Sequence, residues 1–327
     1  MPQKKSWQAC PLRFAPILKR TIWGGRRLAE KLDKPLGPET DYAESWEIVD
    51  HGEDQSVAIN GPLAGQTLKE ILANDAKTIL GNATSPPQFP LLLKYLDCNR
   101  VLSVQVHPDD NYGARMSPPD LGKTEAWYVV ESEPDSLIYA GLKEGVCRED
   151  LADAIDQGTT ESLLNAFHPN AGDVVFIPAG TVHALGAGLL VAEIQQSSNT
   201  TFRLFDWNRV GSDGSTRPLH LHESLEVADF DSGPVHATKA HENHADWQEL
   251  VSCEKFVLSA LNQGRQSIAG DGKFHILTVP KGQATLQHGQ DQHMLEQGQT
   301  ILLPASLGES SVTLEPETTV LEMHHPD

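Results

Sequence analysis

Short apolar runs broken by glycine and proline are the feature that most constrains this chain. They include Ser45-Trp-Glu-Ile-Val49, Ser56-Val-Ala-Ile59, Leu91-Leu-Leu-Lys-Tyr-Leu96, Val101 to His107, Ala126-Trp-Tyr-Val-Val130, Leu137-Ile-Tyr139, Asp173-Val-Val-Phe-Ile177 and Leu189-Leu-Val-Ala-Glu-Ile194. Runs of this length, rich in β-branched and aromatic residues, form strands, and punctuation on this scale predicts a β-barrel or jelly roll. Helical spacing is confined to about 26–32, 67–80 and 148–167, where Leu151, Ile155, Leu163 and Leu164 recur near a helical period. These segments read as small helical insertions beside a mainly β fold.

The rhythm lapses once. Gly211-Ser-Asp-Gly-Ser215 is a polar turn, and Asp229 to Trp247 is rich in Asp, His, Gly and Ala with little periodicity, which predicts units at 1–230 and 231–327. Strand-like runs resume beyond it at Phe274 to Val279, Gln283 to Leu286, Thr300 to Pro304, Ser311 to Leu314 and Thr319 to Met323. An internal echo links the units, because Gly172-Asp-Val-Val-Phe-Ile-Pro178-Ala resembles Gly298-Gln-Thr-Ile-Leu-Leu-Pro304-Ala. In that register Ser306 falls where Gly180 stands and Glu309 where His183 stands. The C-terminal unit is accordingly expected to lack metal ligands.

A net charge of -20 sets lysine and arginine against nearly twice their number of carboxylates, which opposes binding to nucleic acid or an anionic membrane. It leaves room for a small anion, since local cations act over a few ångströms and distant charge is screened within about 8 Å. No apolar run approaches the roughly 20 residues of a membrane span, and the N-terminal stretch, carrying Lys4, Lys5, Arg13, Lys19 and Arg20, lacks a signal-type core. Cys10, Cys98, Cys147 and Cys253 form no Cys-x-x-Cys pair and read as free thiols. The expected location is cytoplasmic.

Four candidate metal ligands sit on these strand-like segments. Gln105 and His107 are two residues apart in an alternating run and would share a face. Gly122-Lys123-Thr124-Glu125 follows, then Gly172-x5-Pro178-x-Gly180-x2-His183. A lone strand histidine is more often packed than ligating, but a mixed nitrogen and oxygen set suits zinc or a similar divalent metal. Lys123 and Glu125 would point the same way, with Thr124 turned aside. His220 and His222 would share a strand face without partners that define a site.

The Pro-Ala-Gly-x-x-His183 block resembles the second motif of the cupins, which are metal-binding jelly rolls. A glutamine as first ligand and the long interval from His107 to Glu125 mark one cupin subgroup, the type I mannose-6-phosphate isomerases. The resemblance extends through Ile22-Trp-Gly-Gly25, Glu44-Ser-Trp-Glu47, Pro90-Leu-Leu-Leu-Lys-Tyr-Leu-Asp97, Leu102-Ser-Val-Gln-Val-His-Pro-Asp-Asp110, Gly122-Lys-Thr-Glu-Ala-Trp-Tyr128 and Gln195-Gln-Ser-Ser-Asn-Thr-Thr-Phe-Arg-Leu-Phe-Asp-Trp207. The length and the Ser-Asn-Thr-Thr-Phe-Arg form are similar to the short bacterial branch. The resemblance implies cupin-type jelly-roll barrels, the interconversion of mannose 6-phosphate and fructose 6-phosphate, and one Zn2+ per chain. It places zinc ligands at Gln105, His107, Glu125 and His183, an active-site lysine at Lys123 and an active-site arginine at Arg203.

Lys123 near zinc would be a candidate acid-base group, or else a fixed cation that anchors hydroxyls or phosphate. Arg203 would clamp an anion, its bland alternative being an ion pair with Asp206. Longer family members carry a tyrosine and an aspartate where this chain has Leu185 and Asn199, so proton-transfer roles for those groups do not carry over. Two other readings use the same residues. One is a non-catalytic cupin that binds a sugar phosphate, and the other is a metal-dependent oxygenase, for which the paired cations Lys123 and Arg203 are less suited. The expected partner is a small-molecule sugar phosphate, with the oligomeric state left open.

Overall fold

A computed structural model describes residues 7–81, 88–210, 214–240 and 245–326. Gly211 to Asp213, which open the polar turn read above, lie outside the described residues. In chain order the N-terminal elements are β1 (Ile17–Gly25), α1 (Arg27–Leu32), β2 (Tyr42–Ile48), α2 (Leu68–Leu80), β3 (Leu91–Cys98) and β4 (Val104–Val106). There follow β5 (Glu125–Ser132), β6 (Ile138–Leu142), α3 (Arg148–Asp156), β7 (Leu164–Phe167), β8 (Asp173–Ile177), β9 (His183–Leu185), β10 (Leu189–Gln196), β11 (Phe202–Phe205), α4 (Leu221–Val227) and β12 (Thr238–Lys239).

These strands make two facing sheets, one in the order β12-β8-β5-β10-β3-β2-β1 and the other β7-β6-β9-β4-β11. The neighbours are antiparallel and far apart in sequence, which gives the jelly-roll topology. β3 and β10 are buried along their whole length. Strands covered on both faces account for the near-continuous apolar runs 91–96 and 189–194.

The C-terminal elements are β13 (Gln248–Ser252), β14 (Val257–Leu261), β15 (Arg265–Ile268), β16 (His275–Lys281), β17 (Gln283–His288), β18 (Asp291–Glu296), β19 (Thr300–Leu303), β20 (Ser310–Leu314) and β21 (Thr319–His324). They form a second, smaller barrel from sheets β13-β14-β21-β16-β19 and β15-β20-β17-β18. Thr238–Lys239 pairs with Asp173–Val174, so the chain stays with the N-terminal sheet to Lys239 and enters the C-terminal sheets at Gln248.

Two sequence expectations change. The helical spacing at 148–167 stops at Asp156, a 3-10 turn occupies Thr160–Leu163, and Leu164–Phe167 is an edge strand paired with β6. A short apolar run cannot by itself distinguish a helix turn from a strand. His220 and His222 do not share a strand face, because His220 precedes α4 and His222 lies within it. Among the described residues no helix is long and apolar enough to cross a membrane.

Candidate metal centre and active site

Three strands of one sheet bring the first group together. His183 opens β9 directly opposite Gln105 of β4, and Gln105 is opposite Arg203 of β11. Opposed residues in an antiparallel ladder share a face, so these side chains emerge toward the other sheet. His107 follows two residues after Gln105. The facing sheet supplies Glu125, the first residue of β5.

His107, Glu125 and His183 are buried, and their ligand atoms lie within 4.8 Å of one another. His107 Nε2 is 3.6 Å from Glu125 Oε2, and His183 Nε2 is 3.4 Å from Glu125 Oε1. The remote nitrogens face carbonyls, His107 Nδ1 donating to Thr200 O at 2.9 Å and His183 Nδ1 to Thr181 O at 2.8 Å. A carbonyl only accepts, so each ring is held with its Nε2 lone pair turned into the site. His183 Nε2 and Glu125 Oε1 are buried without a hydrogen-bond partner. Orphaned buried acceptors of this kind fit a cation, and the two-imidazole, one-carboxylate set fits zinc.

Lys123 enters the same space. Its ammonium donates to Glu125 Oε2, lies 3.0 Å from His107 Nε2 and stands 3.8 Å from Glu193 Oε1. The main chain that delivers it is held by Lys123 N to Pro108 O at 2.9 Å and Gly122 N to Asp110 Oδ1 at 2.8 Å. A Cβ on Gly122 would come within 2.5 Å of the Asp109–Asp110 backbone, so the glycine permits this approach. Gly180 does comparable work in the other motif, with φ of 91° and its N–H on His107 O at 2.9 Å.

Burial, then Lys123 and the neighbouring His183, push His107 well below its usual range. Burial, with Lys123 assisting, takes His183 down to about 4. Both rings are therefore neutral near pH 7, the form that binds metal. Burial and the charge of Glu193 raise Glu125 against the pull of Lys123. Glu193 also resists burial, but Lys123 and Lys94 hold it below the usual carboxylate range.

Sequence reasoning missed that second layer. Lys94 of β3 pairs across the sheet with Glu193 of β10, their charged groups 3.2 Å apart, and Trp127 Nε1 donates to Glu193 Oε2 at 3.1 Å. Glu44, assigned no chemistry from sequence, stands 3.7 Å from Lys94 and accepts from Trp46 Nε1 at 2.6 Å. A signal was available, since a single charge in a strand otherwise fit for a core is unusual unless paired. Asp120 was also missed. It accepts from Thr200 Oγ1 at 2.7 Å and Ser198 Oγ at 3.0 Å, securing the loop whose Thr200 carbonyl orients His107.

Arg203 is half-buried, its Nε donating to Ser103 Oγ at 3.2 Å and Nη1 to Pro218 O at 3.0 Å. The carboxylate of Asp206 is taken by Arg209 and Arg217. Leu185 is buried on β9, while the Asn199 backbone N–H is 3.4 Å from Asp120 Oδ2.

Residues 12–134 match the family described as phosphomannose isomerase type I, catalytic domain, and residues 247–324 match the mannose-6-phosphate isomerase cupin domain. The chain is similar to mannose-6-phosphate isomerase ManA of Bacillus subtilis (strain 168), with 36% identity over 305 residues covering 91% of this chain and 94% of that protein. It is 35% identical to a mannose-6-phosphate isomerase of Streptococcus mutans over 306 residues, covering 91% of this chain and 93% of the relative. A crystal structure of the mannose 6-phosphate isomerase from Bacillus subtilis matches with a TM-score of 0.87 at 31% identity, covering 97% of this chain and 100% of that one.

Proposed function

The chain belongs to the type I mannose-6-phosphate isomerases and is an aldose-ketose isomerase, and from that premise we propose how its own residues run the reaction. Gln105, His107, Glu125 and His183 hold one zinc ion, and the substrate is mannose 6-phosphate or fructose 6-phosphate. The observation that carries this is the buried set His107, Glu125 and His183, with neutral imidazoles aimed at a carboxylate and two acceptors left unpaired. Bound there, zinc would act as a Lewis acid on the sugar carbonyl and on the enediolate oxygens.

Isomerisation moves a proton from C2 of the aldose to C1 through an enediol, while the hydroxyl proton passes from O2 to O1. Lys123 is the group assigned to that transfer, because its Nζ lies against two of the donor atoms and within the cluster's reach. Lys94 and Glu193 set the charge around it: Glu193 lies between the two ammonium groups and balances both. Arg203 stays protonated and binds the anionic part of the substrate from the facing sheet. The buried donor set excludes bulk water, which strengthens these interactions.

A coupled assay for fructose 6-phosphate formed from mannose 6-phosphate, on chelator-stripped protein before and after zinc is added, tests the reading. Stripping should abolish turnover and zinc should restore it. Turnover that persists in demonstrably metal-free protein would reject the metal assignment. No turnover with zinc bound would reject the substrate assignment.

A further inference from the structure

We propose that His275, Glu322 and His324 form a second divalent-cation site of the zinc class, at the rim of the C-terminal barrel. His275 opens β16, and Glu322 and His324 stand two apart at the end of β21. The pairing of Ile276 with Met323 sets His275 across from His324. All three side chains share the face that carries Leu277 and Val320 into the barrel's core. Glu322-x-His324 thus presents two donors from one strand face, as Gln105-x-His107 does in the N-terminal barrel.

The three side chains converge. Glu322 Oε1 is 2.7 Å from His275 Nδ1 and 2.9 Å from His324 Nδ1, and the ligand atoms lie within 4.8 Å of one another. The imidazole pair repeats the arrangement in the N-terminal barrel. His107 and His183 have ring centroids 4.8 Å apart with planes at 49°, and His275 and His324 have centroids 5.3 Å apart with planes at 52°. Glu322 and His275 are buried, whereas the His324 side chain is 19% exposed and leaves a way in.

The outer layer of a metal site is present as well. His275 Nε2 lies 3.0 Å from Asp271 Oδ1, the carboxylate-histidine pairing that fixes a ligating ring. Asp271 is steadied by the Lys273 N–H at 3.0 Å, in a turn where Gly270 and Gly272 both have positive φ. The register of the internal echo does not lead here. It points to Ser306 and Glu309, and Glu309 instead accepts from Ser267 Oγ at 3.0 Å. The proposed donor set arises from residues outside that register. A cation here would tie the first residue of β16 to the last of β21 and close that end of the barrel.

The test is equilibrium dialysis of full-length, chelator-stripped protein against zinc, with metal counted by atomic absorption. His324→Ala should bind about one ion fewer per chain than the wild type and keep its isomerase activity, whereas His183→Ala should lose about one ion together with activity. Asp271→Asn should weaken the C-terminal ion about 10- to 100-fold while His183→Ala leaves that ion in place. Zinc should also raise the melting temperature of the His183→Ala protein, and not that of His183→Ala/His324→Ala. Equal metal content in wild type and His324→Ala would overturn the proposal and leave the cluster a buried imidazole-carboxylate network. Failure of the catalytic-site reading shows separately, as an unchanged ion count in His183→Ala.

Discussion

Lys123 donates to the carboxylate of Glu125 and approaches the imidazole of His107, so its substitution separates a chemical role from an anchoring one. Lys123→Met is predicted to lower kcat about 10²- to 10⁴-fold, the usual contribution of a positioned acid-base group. Exchange of the C2 proton with solvent should fall in parallel with turnover. Exchange at the wild-type rate, with only KM raised, would make Lys123 an anchor. Legibility at this scale follows the backbone pattern. Gln105-x-His107 and Lys123-x-Glu125 were readable because a strand period of two predicts a shared face, and His107 and Lys123 stand just beyond the ends of β4 and β5, whereas Lys94 and Glu193 were not singled out. Each of these lies alone in an apolar run, and only the register Glu193 to Lys94 makes them a pair.

The loop joining β10 to β11 shows how an element can serve the site without touching substrate. Asp120 grips Ser198 and Thr200, and His51 Nε2 lies 3.2 Å from Asp120 Oδ1. The hydrogen bond to Asp120 raises His51 above its ordinary 6.5 despite partial burial. Burial opposes ionisation of Asp120, but His51, Thr200 and the Leu121 N–H hold its carboxyl far below 3.8. The His51 contribution is complete below 6.5 and fades as pH rises through the raised value. The Asp120 contribution is complete above 3.8 and fades as pH falls through the depressed one. Both act between about pH 4 and 6.5, so His51→Asn should cost up to about 1 kcal/mol near pH 5.5 and less near pH 8.5. Urea unfolding of wild type and variant at the two pH values measures this, and an equal cost at both would remove the charge from the argument. No sequence pattern hints at this anchor, because His51 sits in a two-residue strand and Asp120 and Thr200 lie on separate loops far from it in the chain.

At the scale of the whole molecule, the recurring strand rhythm and the Gly-x5-Pro echo made two β units legible, but not how they are joined. Leu12 pairs with Leu302 through main-chain hydrogen bonds of 2.8 Å in both directions. Tyr95 Oη of the first barrel lies 2.7 Å from Thr278 Oγ1 of the second. One apolar cluster runs through both, with Phe89 against Phe274 at 4.7 Å and Phe176 against Phe256 at 6.4 Å between ring centroids. Contacts of that separation leave no period in a sequence, so composition could show that a core exists and not that it is shared. A shared core makes unfolding of the two barrels a single event. Phe274→Ala removes a ring that is 2% exposed. It should cost about 3–5 kcal/mol, although Phe274 belongs to the C-terminal barrel and Lys123 to the N-terminal one. Calorimetry should show one transition moved to lower temperature, with isomerase activity lost along the same curve. Two resolved transitions, with activity surviving the first, would mean that the barrels fold independently and that the C-terminal unit does not support the site.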